Sequence, residues 1–301
     1  MERRSTTPWP TTLAAPAASA AEVLRERITV AAVGIPALLI VLLLGQPWLG
    51  LLILGVAGLA AYETFELLRQ AGYASQPMIG TAICLLAVAA AWVFADRAGE
   101  SAMIIAVGVI AAAVAAFLRP DPFAGFQSWL ATTFGALYVA LLGFLLLLVE
   151  NGRGLPDGAP LAAWLDGGRA WLLIAVFGVW AFDTGAYAAG RTWGRHPLAR
   201  HLSPHKTLEG VAGGLVAVTV VSAVTLWGAG QTPAGAIILG PLIGLAAQAG
   251  DLAESMLKRA ASAKDSSDLI PGHGGLLDRV DSLLFAGPAV YFYLLTLGAV
   301  R

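Results

Sequence analysis

The chain has 301 residues, 58% hydrophobic and only 12% charged, with a mean hydropathy of +0.76, whereas roughly 25% of residues in a soluble domain are charged. A formal net charge of −1 gives no basis for a nucleic-acid partner. The single cysteine, Cys84, excludes an internal disulfide and leaves a thiolate zinc site short of ligands. The composition is that of an all-α, polytopic integral membrane protein.

Residues 1–27 read as a disordered cytoplasmic tail, because the first twenty are rich in Pro, Thr, Ser and Ala and hold no apolar core. After it come nine apolar stretches near the length of about 20 residues that crosses roughly 30 Å of hydrocarbon. They are Ile28–Gly45, Trp48–Leu68, Met78–Ala95, Ala102–Leu118, Trp129–Val149, Trp171–Gly190, Val211–Gly228, Ala234–Leu257 and Leu283–Val300. None alternates with the period of a barrel strand, and helices satisfy their own backbone groups in lipid. Pro36, Pro241 and Pro288 predict kinks in three of them. With the N-terminus cytoplasmic and the C-terminus outside, 14 of the 18 Lys and Arg residues fall on the cytoplasmic side, as the positive-inside tendency requires. Residues 28–170 read as a transmembrane scaffold whose main polar content is Glu63 and Glu66. Residues 171–301 read as the catalytic region, with two polar cytoplasmic loops.

The first loop follows Asp183, an acid inside the sixth stretch. It carries Arg191, Arg195, His196, Arg200 and His201, then Ser203-Pro204-His205-Lys206-Thr207, Glu209 and Gly210 at the start of a helix. Anionic headgroups attract such cations by about 1 kcal/mol each, which accounts for the arginines but not for the hydroxyls. Helix N-termini bind phosphate, so Ser203, Lys206 and Thr207 are candidate phosphate ligands. The histidines have no HExxH spacing and no cysteine partners, hence no case for zinc.

Asp251, Glu254, Ser255 and Lys258 then share one helical stripe at i, i+3, i+4 and i+7. An ordinary (i, i+4) ion pair is the plain alternative for Glu254 and Lys258. Asp251, an acid within a spanning segment, calls for a wet cavity or a partner. From Ser255 to Asp281 the sequence reads SMLKRAASAKDSSDLIPGHGGLLDRVD. Lys258, Arg259 and Lys264 flank a His273-Gly274-Gly275 turn whose glycines let backbone N–H groups approach an anion. Asp278 and Asp281 follow in the first turn of the next helix. Two acid clusters around a cation-bearing loop suit a hard divalent ion bridging to phosphates, since magnesium takes few carboxylates and fills its other sites with water and substrate oxygens.

These residues, together with Asp183-Thr184-x-Ala186-Tyr187-x3-Arg191 and Ser203-Pro204-x-Lys206-Thr207, resemble the signature of the phosphatidate cytidylyltransferases, or CDP-diglyceride synthetases. The likeness covers roughly Trp171 to Ser282, with His205 standing where that family commonly has a second lysine. It implies a bacterial inner-membrane enzyme, its active site near the cytoplasmic face, that transfers a cytidylyl group from CTP to phosphatidic acid. By the same resemblance Asp251 and Asp278 hold Mg2+, with a second cation left open, and Asp281 supports them. Lys206, Lys258, Arg259 and Lys264 neutralise phosphate charge, with Ser203, Thr207, Ser255, His273, Gly274, Gly275 and Arg279 around the substrate phosphates. A homodimer fits the resemblance, although nothing in the spans specifies an interface. Two rivals stay open: a CTP-dependent lipid-alcohol kinase, and a secondary transporter of an anionic solute.

Overall fold

The structure, a computed structural model, describes residues 20–267, 269 and 274–300, with the backbone alone for 20–31. Among the described residues the regular structure is helical apart from short 3-10 turns, one small ribbon and an isolated bridge between Gly152 and Val300. Helix α1 covers Ala20–Leu44, so residues 20–27 belong to a helix and not to the expected tail, whose earlier part lies outside the described residues. Helices α2 (Trp48–Gln70), α3 (Pro77–Val93) and α4 (Ala98–Ala116) follow. The expected fifth stretch is divided between α5 (Pro122–Ala140) and α6 (Gly143–Asn151), which a turn at Leu141 and Leu142 separates. An unbroken apolar run conceals such a turn, because lipid-facing composition is the same on both sides of it.

Helix α7 (Gly167–Trp193) leads into a two-stranded antiparallel ribbon, β1 (Pro197–Ala199) and β2 (Ser203–Thr207), where a loop was expected. Pro197 pairs with Thr207 and Ala199 with Ser203. Helix α8 (Leu208–Gly228), α9 (Ala236–Ala260) and α10 (Leu277–Thr296) complete the order. Among the described residues six segments are long and apolar enough to cross a membrane: Trp48–Gln70, Ala98–Ala116, Pro122–Asn151, Gly167–Trp193, Leu208–Gly228 and Pro233–Ala260. The described part of α1, Ala32–Leu44, and α3 are shorter apolar helices. Outward-facing Met78, Leu118, Val216 and Ile237 are all more than half exposed, the pattern expected of helices solvated by lipid rather than water.

Small residues set the packing of the region that carries the polar motifs. A Cβ added at Gly185 of α7 would lie 2.5 Å from the Ala217 Cβ of α8, and one at Gly213 would overlap Ala189. Gly213 and Ala217 therefore seat α8 against α7 within one chain, bringing the two backbones close enough for dispersion contacts to hold them. Gly250 makes the same kind of approach from α9 to the Asp281 carbonyl of α10. That crossing sets Asp251 and Asp281 beside one another at the polar end of the bundle.

Candidate functional site

The polar residues fall into two layers. The outer one is a cavity of about 580 Å³ between α7, β2, α8 and α9, lined among others by Asp183, Tyr187, Arg191, Ser203, His205, Lys206, Thr207, Gln248 and Asp251. Its shape follows from the ribbon. Thr207 is the N-cap of α8, its Oγ1 accepting from the Gly210 N–H at 3.1 Å. Glu209 in the first turn accepts from the Arg195 and His196 N–H groups at 3.1 and 3.2 Å and meets His196 Nδ1 at 2.5 Å. These bonds fold the ribbon back over the end of α7 and aim Lys206 inward. There Lys206 Nζ pairs with Asp251 Oδ2, and the Ser255 hydroxyl makes a long 3.4 Å bond to Asp251 Oδ1. Asp251 thus keeps acceptor capacity toward the cavity. Arg191 donates to the Tyr187 hydroxyl at 2.6 Å.

The inner layer lies between α2, α9, α10 and the segment joining the last two. Lys258 Nζ donates to Glu254 Oε2 and to Asp278 Oδ1, each at 2.5 Å. Asp278 Oδ2 accepts from the Ser266 N–H, the Ser266 hydroxyl and the Gly275 N–H, all at 2.9 Å. In the Gly274–Gly275 turn the Gly275 N–H is given to the protein's own Asp278, where a substrate anion was expected. A Cβ at Gly274 would sit 2.9 Å from Asp278 Oδ2. At Gly275 it would run into the Ser266 hydroxyl and stand 2.6 Å from Glu63 Oε2. Close packing against carboxylates is what both positions require.

Glu63 is the residue that reading the sequence missed. It was visible as an acid in an apolar stretch, a feature that marks function by default in lipid, yet its surroundings suggested scaffold. Its carboxylate is 1% exposed. Oε1 accepts from the Ser267 hydroxyl at 2.6 Å and the Leu276 N–H at 2.9 Å; Oε2 accepts from the Ser266 hydroxyl at 3.0 Å and the Leu277 N–H at 2.6 Å.

The other expected residues divide between these layers and their rim. Arg259 Nε donates to the Leu202 carbonyl at 3.1 Å and its Nη1 to the Ala263 carbonyl at 3.2 Å, so its guanidinium ties α9 to the ribbon. Lys264 is exposed. Asp281 is buried, within electrostatic reach of Asp251, Asp183 and Lys258. Arg279 reaches an apolar cleft of about 180 Å³ whose other lining residues include Leu49, Leu172 and Trp180. His273 lies outside the described residues.

The carboxylates here, Asp251 and Asp278 among them, offer oxygen donors, which suit a hard cation and not a soft one. Among the described residues no three acidic, imidazole or thiol groups converge on one point, so a cation here would draw on few protein ligands. Glu254 Oε1 and the Tyr138 hydroxyl are buried with no hydrogen-bond partner among the described residues, which leaves two oxygens that a cation or water would satisfy. The donor chemistry therefore fits magnesium with much of its shell left to water and ligand oxygens.

The sequence matches the model of the cytidylyltransferase family over residues 25–297. It is 46% identical over 135 residues to a phosphatidate cytidylyltransferase of Haemophilus influenzae, covering 42% of this chain and 47% of that protein. It is 38% identical over 170 residues to one of Mycobacterium bovis, covering 54% and 50%. With the chloroplastic phosphatidate cytidylyltransferase 5 of Arabidopsis thaliana the identity is 34% over 255 residues, 78% of this chain and 63% of that one. The chain spans about half the length of the first two of these relatives.

Proposed function

Because this chain belongs to the cytidylyltransferase family, we propose that it transfers the cytidylyl group of CTP to phosphatidic acid, giving CDP-diacylglycerol and pyrophosphate. The observation that carries this reading is the cavity in which Lys206, Arg191 and His205 face Asp183 and Asp251 at the end of a bundle of apolar helices. Such a cavity suits a polyanion approached from water and a lipid approached from the bilayer. The nucleophile is a phosphomonoester oxygen, already ionised near neutral pH because its second pKa is about 6. It forms a bond to the α-phosphorus of CTP as the bond from that phosphorus to the pyrophosphate oxygen breaks. No general base is needed, and the chain's task is to bring two polyanions together.

Lys206 is the cation that meets the nucleotide phosphates, exchanging its bond to Asp251 for phosphate oxygens as they enter. Thr207, Ser203 and the N-terminus of α8 present donors to the same group. Asp251 and Asp278 are assigned to magnesium. Asp251 can offer acceptor sites on both oxygens, whereas Asp278 has spare capacity on Oδ1 alone, since Oδ2 already takes three donors. Bound there, the metal would supply charge neutralisation on the phosphates. Arg279, lining the apolar cleft, is assigned to the phosphate of the lipid, with the cleft for part of an acyl chain. The Lys and Arg distribution supports nine spans with the ribbon and the segment between α9 and α10 on the cytoplasmic side of a bacterial inner membrane.

The test is an assay in detergent micelles with magnesium, phosphatidic acid and labelled CTP. CDP-lipid and pyrophosphate in equal amounts, both lost on chelation, are the expected products. Phospholipid with CDP would point to a lipid-alcohol kinase, and no chemistry at all would point to a transporter.

A further inference from the structure

Glu63 stands in the half of the chain that otherwise holds lipid-facing helices, 203 residues from Ser266, and the mechanism above does not use it. A buried carboxylate is costly to desolvate unless donors meet it. Here four do, and all of them come from the segment that carries Asp278. Two are the N–H groups of Leu276 and Leu277 at the start of α10, a helix whose N-cap residue, Leu276, supplies no side-chain cap of its own. Glu63 is therefore the cap of α10, delivered from α2, and its charge complements the positive end of that helix. The other two donors are the hydroxyls of Ser266 and Ser267. The Ser266 hydroxyl also lies 2.9 Å from Asp278 Oδ2; with one proton it donates to one carboxylate at a time and links the two.

We infer that Glu63 is a positioning residue for the proposed transfer reaction: it fixes Ser266, Ser267 and the first turn of α10 so that Asp278 holds Lys258 and keeps Oδ1 turned toward the site. This rests on the reading of the site given above. The chemistry of the clamp is specific. Each carboxylate oxygen faces one backbone N–H, which cannot accept, so an amide at position 63 sets its NH2 against a donor whichever way it is turned.

Glu63→Gln is consequently expected to lower kcat about 100-fold, the scale of loss for a small misplacement of reacting groups, while KM for CTP stays within about threefold. Glu63→Asp, which keeps the charge, should recover about tenfold of that loss. Ser267→Ala should cost less than tenfold, since the Leu276 N–H still serves the same oxygen. Glu66→Gln, on the neighbouring half-buried carboxylate that binds Arg69, should stay within about twofold of the parent. Amide hydrogen exchange at Leu276 and Leu277, measured on the same preparations, reads the clamp without reference to activity. Protection there should drop at least tenfold in Glu63→Gln. If the parent protein makes no CDP-lipid yet exchange behaves so, the functional reading falls and the clamp stands. Unchanged exchange at both amides, or wild-type kcat in Glu63→Gln, would overturn the inference. So would a loss confined to the amount of folded protein, with full activity per folded molecule. Should Glu63→Gln not fold, the Ser266→Ala/Ser267→Ala pair decides on the same two readouts: a fall of at least tenfold in kcat and in protection supports the inference, and parental values overturn it.

Discussion

Two lysine–aspartate pairs sit a few turns apart at the polar end of this molecule, and they are built for different work. Lys206 and Asp251 line the cavity with side chains 24% and 30% exposed, and beyond each other they have little to hold them. Lys258 and Asp278 are 12% and 7% exposed. Lys258 serves two carboxylates, and Asp278 accepts from Lys258 and from the Ser266 and Gly275 N–H groups, with the Ser266 hydroxyl shared between it and Glu63. A pair facing water can trade its partner for a ligand at small cost, because exposed ion pairs contribute only about 0–1 kcal/mol. A buried pair cannot, since breaking it leaves an uncompensated charge. The comparison assigns partner exchange to the outer pair, and to the inner one a fixed placement of Asp278, whose Oδ1 keeps Lys258 while its remaining acceptor capacity serves the proposed metal.

The largest effect should come from Asp251→Asn. It keeps the shape of the cavity wall but removes the anion that faces Lys206 and that the proposed reading gives to magnesium. Losing a group that acts on transition-state charge costs about 100- to 1,000-fold, and kcat/KM should fall by at least that much with the thermal unfolding midpoint unchanged. Near-parental activity in purified Asp251→Asn protein would remove Asp251 from the site and merge the two pairs into one structural class.

Much of this was legible from sequence, and the reasons differ by residue. That the chain is largely helical, with membrane-capable segments, follows from apolar length, although six such segments and not nine are found among the described residues, and Asp251 stood out because an acid is expensive there. The glycine turn was read as a cradle for a substrate anion, and in the structure its Gly275 N–H goes to the protein's own Asp278. What could not be read was which anion, because Asp278 and a substrate phosphate offer the same oxygens to the same N–H groups. The break between α5 and α6 and the β1–β2 ribbon were missed, since neither changes composition. Glu63 was seen and set aside. Its partners lie more than 200 residues away, beyond the reach of any local pattern.

Lys258→Ala breaks the inner pair and sharpens the contrast. It leaves Glu254 and Asp278 buried with no cation between them, a change that costs about 3–5 kcal/mol in such settings. The unfolding midpoint in detergent should drop by several degrees, and the activity that remains should track the folded fraction. Lys206→Ala predicts the opposite signature. Its removal frees Asp251 toward the cavity and water, so stability should hold, while KM for CTP rises about tenfold through loss of a phosphate contact. Identical behaviour of the two alanine variants in both measurements would break the distinction on which these assignments rest.

Arg259 carries the smallest and most pointed of these tests. By sequence it belongs with Lys206, Lys258 and Lys264 as a partner of phosphate charge. In the structure its guanidinium is spent on two backbone carbonyls, Leu202 at the tip of the ribbon and Ala263 just past α9. Both bonds are exposed to solvent, so each should contribute about 0.5–1.5 kcal/mol at most. Arg259→Ala should therefore lower kcat/KM only about two- to fivefold, by loosening the ribbon that aims Lys206. Arg259→Lys should recover little, because an ammonium cannot span both carbonyls in the fork geometry of a guanidinium. A phosphate contact behaves differently: lysine would restore it, and alanine would raise KM for CTP tenfold or more. The ratio of the two variants thus separates a residue that shapes the cavity from one that binds in it.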